Sequence, residues 1–248
     1  MKNIFYGFCL IALISCGNDN NQANSVANFS NQKLQASITK SDESNISKIL
    51  QQYNQLIKNF SKSNQDGVDP TKIRFQLVWL TNSNLPQLAM IVNDDARSGV
   101  RYYTYGENDV VFLGEYGAYG SGSINQDNSL IYDSLMRMDT ISNTVYSVKT
   151  QQVEEIISFN RIFSSNNENY ERQFEIAWQI DGKDVDADTF YKSYEQYFGG
   201  DVKKVYLVPE KMADTNYVIM RNGNWVINEE IDCLDKLEKM YQAGRESL

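Results

Sequence analysis

The 248-residue chain contains no histidine. That absence removes Ser-His-Asp and Cys-His catalysis, the usual zinc sites and any imidazole general base. The catalysis still open to it is chiefly the paired-carboxylate kind used by glycosidases. Cysteine is scarce as well, with only Cys9, Cys16 and Cys233. Positive charge is in deficit: 23 basic residues against 32 acidic ones give a formal net charge of -9. Such a balance disfavours nucleic acid and anionic membrane faces, so no nucleic-acid partner is expected. Long hydrophobic runs are missing too. The apolar run from Ile4 to Ile14 falls short of the roughly 20 residues that span a bilayer.

That run follows Lys2 and has the length and flanks of a signal peptide. Its end, Leu13-Ile14-Ser15-Cys16, resembles the lipobox of bacterial lipoproteins. The resemblance implies cleavage before Cys16 and a diacylglycerol on its thiol; the plainer alternative is a secretory signal with an incidental cysteine. With residues 1–15 removed and Cys16 acylated, Cys233 is the remaining thiol and no intrachain disulfide can form. Between Ile231 and Leu234, Cys233 reads as a buried, inert thiol in a C-terminal helix. Residues 16–41 are rich in Asn, Gln and Ser, with Phe29 as the lone aromatic. They cannot bury enough apolar surface to offset their ordering entropy and read as a flexible tether.

Behind the tether, Ile46, Ile49, Leu50, Tyr53, Ile57 and Phe60 recur at helical spacing. Strands are expected over 72–80, 88–93, 100–105, 110–116, 130–135, 144–150 and 153–162, where β-branched and aromatic residues dominate between turn residues. Phe174, Ile176, Trp178 and Ile180 alternate with Gln173, Glu175 and Gln179, which predicts a half-buried strand with the apolar set inward. Asp181-Gly182 turns the chain, and Phe190, Tyr191, Tyr194 and Phe198 predict a short helix ended by Gly199-Gly200. Further strands are expected at 205–208 and 217–220, and Asn222-Gly223 signals a hairpin into 225–227. A last helix turns Ile231, Leu234, Leu237 and Tyr241 inward, with Gly244 suited to its C-terminal cap. The expectation is one α+β domain over 42–248, an antiparallel β-rich body flanked by an N-terminal and a C-terminal helix.

The stretch Phe75-Gln76-Leu77-Val78-Trp79-Leu80-Thr81-Asn82-Ser83-Asn84-Leu85-Pro86-Gln87-Leu88 resembles a group of uncharacterised secreted and lipid-anchored bacterial proteins. These place a D-x-D-x-D-G-x-P-E-L loop between two strands. The likeness continues through Gly99–Tyr105 and Ile180–Asp186, by spacing and turn placement. In that group the acidic loop implies bound calcium. Here Trp79, Thr81, Ser83 and Gln87 stand at the carboxylate positions, so no metal is expected at this loop.

Asp184, Asp186, Asp188 and Glu195 fall at positions 1, 3, 5 and 12 of an EF-hand loop, but position 6, which needs glycine, is Thr189. The competing reading, and the favoured one, is that Asp186 or Asp188 caps a helix. Gly114–Ser123 is glycine-rich, and Tyr116 and Tyr119 could offer rings and hydroxyls to a sugar or peptide. The alternative is a connection between strands with its tyrosines packed down. Glu154 and Glu155 are strand neighbours and point to opposite faces, which spoils them as an acid/base pair.

Together these features predict a lipid-anchored protein facing outside the cytoplasm, attached to a membrane through Cys16. It reads as a non-enzymatic binding module for an envelope protein or glycan, with Tyr116 and Tyr119 as ligand-binding candidates and no cofactor or catalytic residue. The alternatives are a carboxylate-dependent glycan hydrolase and a purely structural envelope protein.

Overall fold

The apolar residues of the first helical stretch recur every three or four positions and therefore share one stripe. In the computed structural model, which describes residues 40–62, 72–80, 85–93, 98–118, 121–137, 139–165, 172–215, 218–227 and 232–247, they form the buried side of α1 (Lys40–Lys62). Ile46, Ile49, Leu50, Tyr53 and Ile57 are all buried. The signal-peptide segment, the tether as far as Thr39, Cys16, Thr81, Ser83, Asn84, Tyr119 and Ile231 lie outside the described residues, and Lys40 and Ser41, expected in the tether, begin α1.

The strands follow in order: β1 (Arg74–Val78), β2 (Gln87–Ile91), β3 (Val100–Tyr105), β4 (Val110–Tyr116), β5 (Gly122–Asn125), β6 (Leu130–Met136), β7 (Thr140–Lys149), β8 (Gln152–Ser165), β9 (Arg172–Ile180) and β10 (Lys183–Val185). Then come α2 (Ala187–Phe198), β11 (Val205–Leu207), a 3-10 turn at Pro209–Lys211, β12 (Ala213–Asp214), β13 (Val218–Arg221), β14 (Asn224–Ile227) and α3 (Leu234–Ser247). The fold is α+β, with antiparallel pairing throughout the described strands. One sheet has the order β12-β1-β2-β3-β4 and the other β10-β9-β8-β7-β6-β5-β11, while β13 and β14 make a separate hairpin.

Alternation within the first sheet sends its side chains into two cores. Phe75, Leu77, Leu88, Met90, Val92 and Tyr103 meet α1 and α3 on one face. Ala89, Ile91, Val100 and Tyr102 meet Ile124, Ile131 and Val148 of the second sheet on the other. On β7, Asn143 and Val148 have opposite parity, so Phe159, which pairs with Asn143, lies on the second sheet's outer face. There it takes the rings of α2, with Phe190, Tyr194 and Phe198 at 5.6, 5.4 and 5.9 Å. Tyr194 stacks on both Phe190 and Phe198, which makes α2 an aromatic ridge on that face.

Two expectations require correction. The apolar alternation of β9 does not all point inward: Phe174 and Ile176 are 61% and 53% exposed, while Glu175 is only half-exposed. Ile162 pairs with Ala177 and Phe163 with Glu175, so β9 advances two residues where β8 advances one. This bulge at Ile176 exchanges the faces beyond it, bringing Glu175 to the α2 side. Gly244 is not a helix cap either. It lies inside α3, where a Cβ would meet Trp79 Cη2 at 1.8 Å, so its role is to admit the indole. The glycine-rich stretch also runs into β5, a strand beyond those expected from the sequence.

The local turn chemistry holds. Asp181 and Gly182 have φ of 50° and 72°, and Asn222 and Gly223 of 53° and 79°, the left-handed pairs of a type I′ hairpin turn. Asp186 caps α2, its Oδ1 accepting the Thr189 N–H at 2.8 Å. Cys233 is buried at the start of α3.

Candidate functional site

An open groove of about 490 Å³ lies on the outer face of the second sheet, beside the C-terminal end of α2. Leu130 and Tyr132 of β6 and Ile156 of β8 form its floor; Gln196 and Tyr197 of α2 form one wall. The β5–β6 turn (Asn125, Asp127, Asn128) and the segment after α2 (Asp201, Val202, Lys203) supply the rims.

Each part is positioned by local chemistry. Val145 pairs with Ile157 and Tyr146 with Glu155, so Ile156 is the extra residue of a bulge on β8. Such a bulge re-aims one side chain, and here it leaves Ile156 42% exposed in the groove. Asn125 is buried, and its Oδ1 accepts the Asn128 N–H at 3.1 Å, which closes the turn from inside. Gln126 Oε1 accepts the Trp79 N–H at 2.9 Å and ties the same turn to the first sheet. The opposite rim is held by Gly199, whose N–H donates to the Glu195 carbonyl at 2.9 Å, and by the Val202 N–H on the Gly199 carbonyl at 3.1 Å.

Tyr132 is almost fully buried below the groove, and burial raises its pKa, an effect that the neighbouring Asn125 amide partly offsets. Lys204 stands over the rings of Tyr132 and Phe198, with Nζ 5.2 and 4.7 Å from the centroids. It also donates to the Phe198 carbonyl at 3.4 Å, at the negative end of α2. Burial lowers its pKa. Lys203 reaches Asp127 across the groove mouth at 3.4 Å, both side chains well exposed.

A second polar constellation sits at the start of α2. Glu175 accepts the Trp178 indole N–H at 2.7 Å and the Tyr191 hydroxyl, and Arg161 lies 3.5 Å away. Burial alone would raise the pKa of Glu175, but these hydrogen bonds and the guanidinium outweigh it and hold the group low. The cluster fastens α2 to β8 and β9.

The sequence candidates are placed as follows. Tyr116 is half-buried between Tyr102 and Tyr146, at 6.1 and 4.7 Å, and its hydroxyl donates to the Leu113 carbonyl at 3.2 Å. It folds back over Gly114, where any Cβ would meet that hydroxyl at 2.5 Å. Tyr116 does not line the groove. In the would-be EF-hand, Asp186 is spent on the helix cap and Asp184 accepts from Gln179 at 2.9 Å. Among the described residues, no three His, Cys, Asp or Glu side chains gather as metal ligands would. Gln87 turns inward at its loop: Oε1 accepts the Leu80 N–H at 2.6 Å, and Nε2 donates to the Leu85 carbonyl at 2.9 Å. Glu115 accepts from the Gly99 N–H at 2.9 Å and pairs with Arg101 at 2.8 Å.

The groove residues share no sequence signature, because they come from separate segments. One local signal was legible: Val153-Glu154-Glu155-Ile156-Ile157 breaks strand alternation and so marks the bulge. Among the described residues no helix is long and apolar enough to cross a membrane. The chain matches no protein-family model, no curated protein and no solved structure.

Proposed function

We propose that this chain is a lipid-anchored cell-envelope protein that binds a glycan or protein partner in the groove and performs no chemistry on it. The observation that carries the reading is the groove's character. It is open, floored by apolar and aromatic side chains, and rimmed by amides and charges. That is the usual lining of a binding site. Its carboxylates, Asp127 and Asp201, are solvent-exposed, and among the described residues no Asp or Glu is buried. A glycosidase acid is normally held protonated by apolar surroundings. The lipid anchor rests on the lipobox-like Leu13-Ile14-Ser15-Cys16.

The hydrolase reading keeps one observation in its favour, because Asp127 and Asp201 line the same groove. The experiment separates the parts. Cys16→Ala should move the chain from the membrane fraction to the soluble one, and unchanged membrane retention would refute the anchor. Wild-type chain should retain a discrete envelope glycan or protein that Tyr197→Ala releases. Turnover of a glycan, abolished by Asp201→Asn, would replace binding with hydrolysis.

A further inference from the structure

Resting on that binding reading, we infer that the groove takes an uncharged oligosaccharide, with sugar rings lying against Tyr197 and Ile156 and hydroxyls reaching the amides and carboxylates at the rims. The charge balance comes first. The lining holds two acids, Asp127 and Asp201, and one base, Lys203. Lys203 is engaged with Asp127, and the nearby Lys204 is engaged with two rings and a carbonyl. Among the described residues the lining therefore carries no surplus of positive charge for a phosphate, sulfate or uronate, and the chain's net charge of -9 opposes an anion at longer range. A basic peptide meets a weak counter-charge, since Asp127 is already paired.

The remaining chemistry suits a polyhydroxylated ring. Sugars present C–H faces that bury against aromatic and aliphatic side chains, and hydroxyls that both donate and accept. Leu130, Ile156, Tyr197 and Val202 offer the first kind of surface. Asn128 and Gln196 are exposed planar amides able to donate and accept at once, and Asp201 accepts. The volume of about 490 Å³ falls within the range of small-ligand sites, about 300–1,000 Å³. Because the groove is open and not an enclosed cavity, an oligomer can lie along it without its ends being captured.

The test is calorimetric titration of the full chain in detergent. The probes are uncharged gluco-, xylo- and chito-oligosaccharides, anionic polygalacturonate, and oligolysine. Saturable binding of an uncharged oligosaccharide is expected, about equal at low and high salt because no ion pair forms. Tyr197→Ala should weaken it about tenfold, the scale of losing one aromatic face. Tyr197 also lies 6.1 Å from the Phe159 ring, so the exposed Gln196→Ala and Asn128→Ala serve as variants that leave the core intact. They should weaken binding without changing the circular dichroism spectrum. Salt-sensitive binding of polygalacturonate or oligolysine that needs Tyr197 would overturn the uncharged ligand and leave the binding module standing. Retention of no probe would overturn the inference, with envelope capture then deciding the broader reading separately. Shortening of an oligosaccharide during incubation would overturn both.

Discussion

Gly244 and Trp79 allow the packing of the C-terminal helix to be tested against the simplest rule of helix chemistry. Replacing an interior helical glycine by alanine ordinarily stabilises by about 0.8–1.0 kcal/mol. At position 244 the new methyl would stand 1.8, 2.3 and 2.6 Å from Cη2, Cζ3 and Cζ2 of Trp79. The indole would have to retreat by well over an ångström, yet it is wedged in the core shared by α1, β1 and α3. Overpacking of this kind costs about 1–3 kcal/mol. Gly244→Ala is therefore expected to destabilise by up to about 2 kcal/mol, or roughly 2–4 °C in Tm per kcal/mol for a domain of this size. The discriminating measurement is a double-mutant cycle in urea with Trp79→Phe, which removes the offending ring atoms. In that background Gly244→Ala should become neutral or stabilising, giving a coupling of about 1–3 kcal/mol. An equal cost in both backgrounds would refute the contact.

Three other outcomes follow from the geometry. Phe159→Ala should cost about 3–5 kcal/mol, because the ring is fully buried under α2, and it should abolish the near-ultraviolet dichroism of the α2 aromatics. Gln87→Leu leaves the Leu80 N–H and the Leu85 carbonyl without the Gln87 amide, and a loss of about 1–3 kcal/mol in urea unfolding is expected. The folded-state pKa of Glu175 lies below its ordinary value of 4.5, so its contribution is present in full above that value and is lost as pH falls through the lower one. Glu175→Gln should lower stability at neutral pH and flatten the acid limb of the stability curve below pH 4.5; an unchanged acid limb would contradict the assignment.

What was legible in the sequence was whatever a few neighbouring residues decide. The stripe of α1, the span of β3 and β4, the Asn222-Gly223 turn and the Asp186 cap all follow from chemistry acting within one or two turns of chain. Where a second strand or helix intervenes, local reading fails. Phe174 and Ile176 look inward by parity until the pairing with β8 introduces an extra residue. Gly244 looks like a terminator until Trp79, far away in the chain, is found against it. The groove belongs to the same class. Tyr132, Ile156 and Tyr197 carry no shared spacing, and only the docking of α2 on the outer face of the second sheet brings them together.

Asn54 carries a consequence for the order in which the molecule can assemble. Its amide donates to Asp232 at 2.7 Å, and its carbonyl oxygen accepts the Cys233 N–H at 3.0 Å, joining the first helix to the threshold of the last. The core under the first sheet is closed by Leu237 and Tyr241, which are made long after the α1 residues they help to cover. A nascent chain therefore cannot complete the cover over the apolar stripe of α1 until α3 has been made, and cannot lock early into the native fold. For a protein proposed to leave the cytoplasm, such a late keystone is an advantage, because the polypeptide stays threadable until α3 arrives. The same wiring makes the tail intolerant of loss: trimming it at Leu237 would remove the lid of a core begun at Ile46.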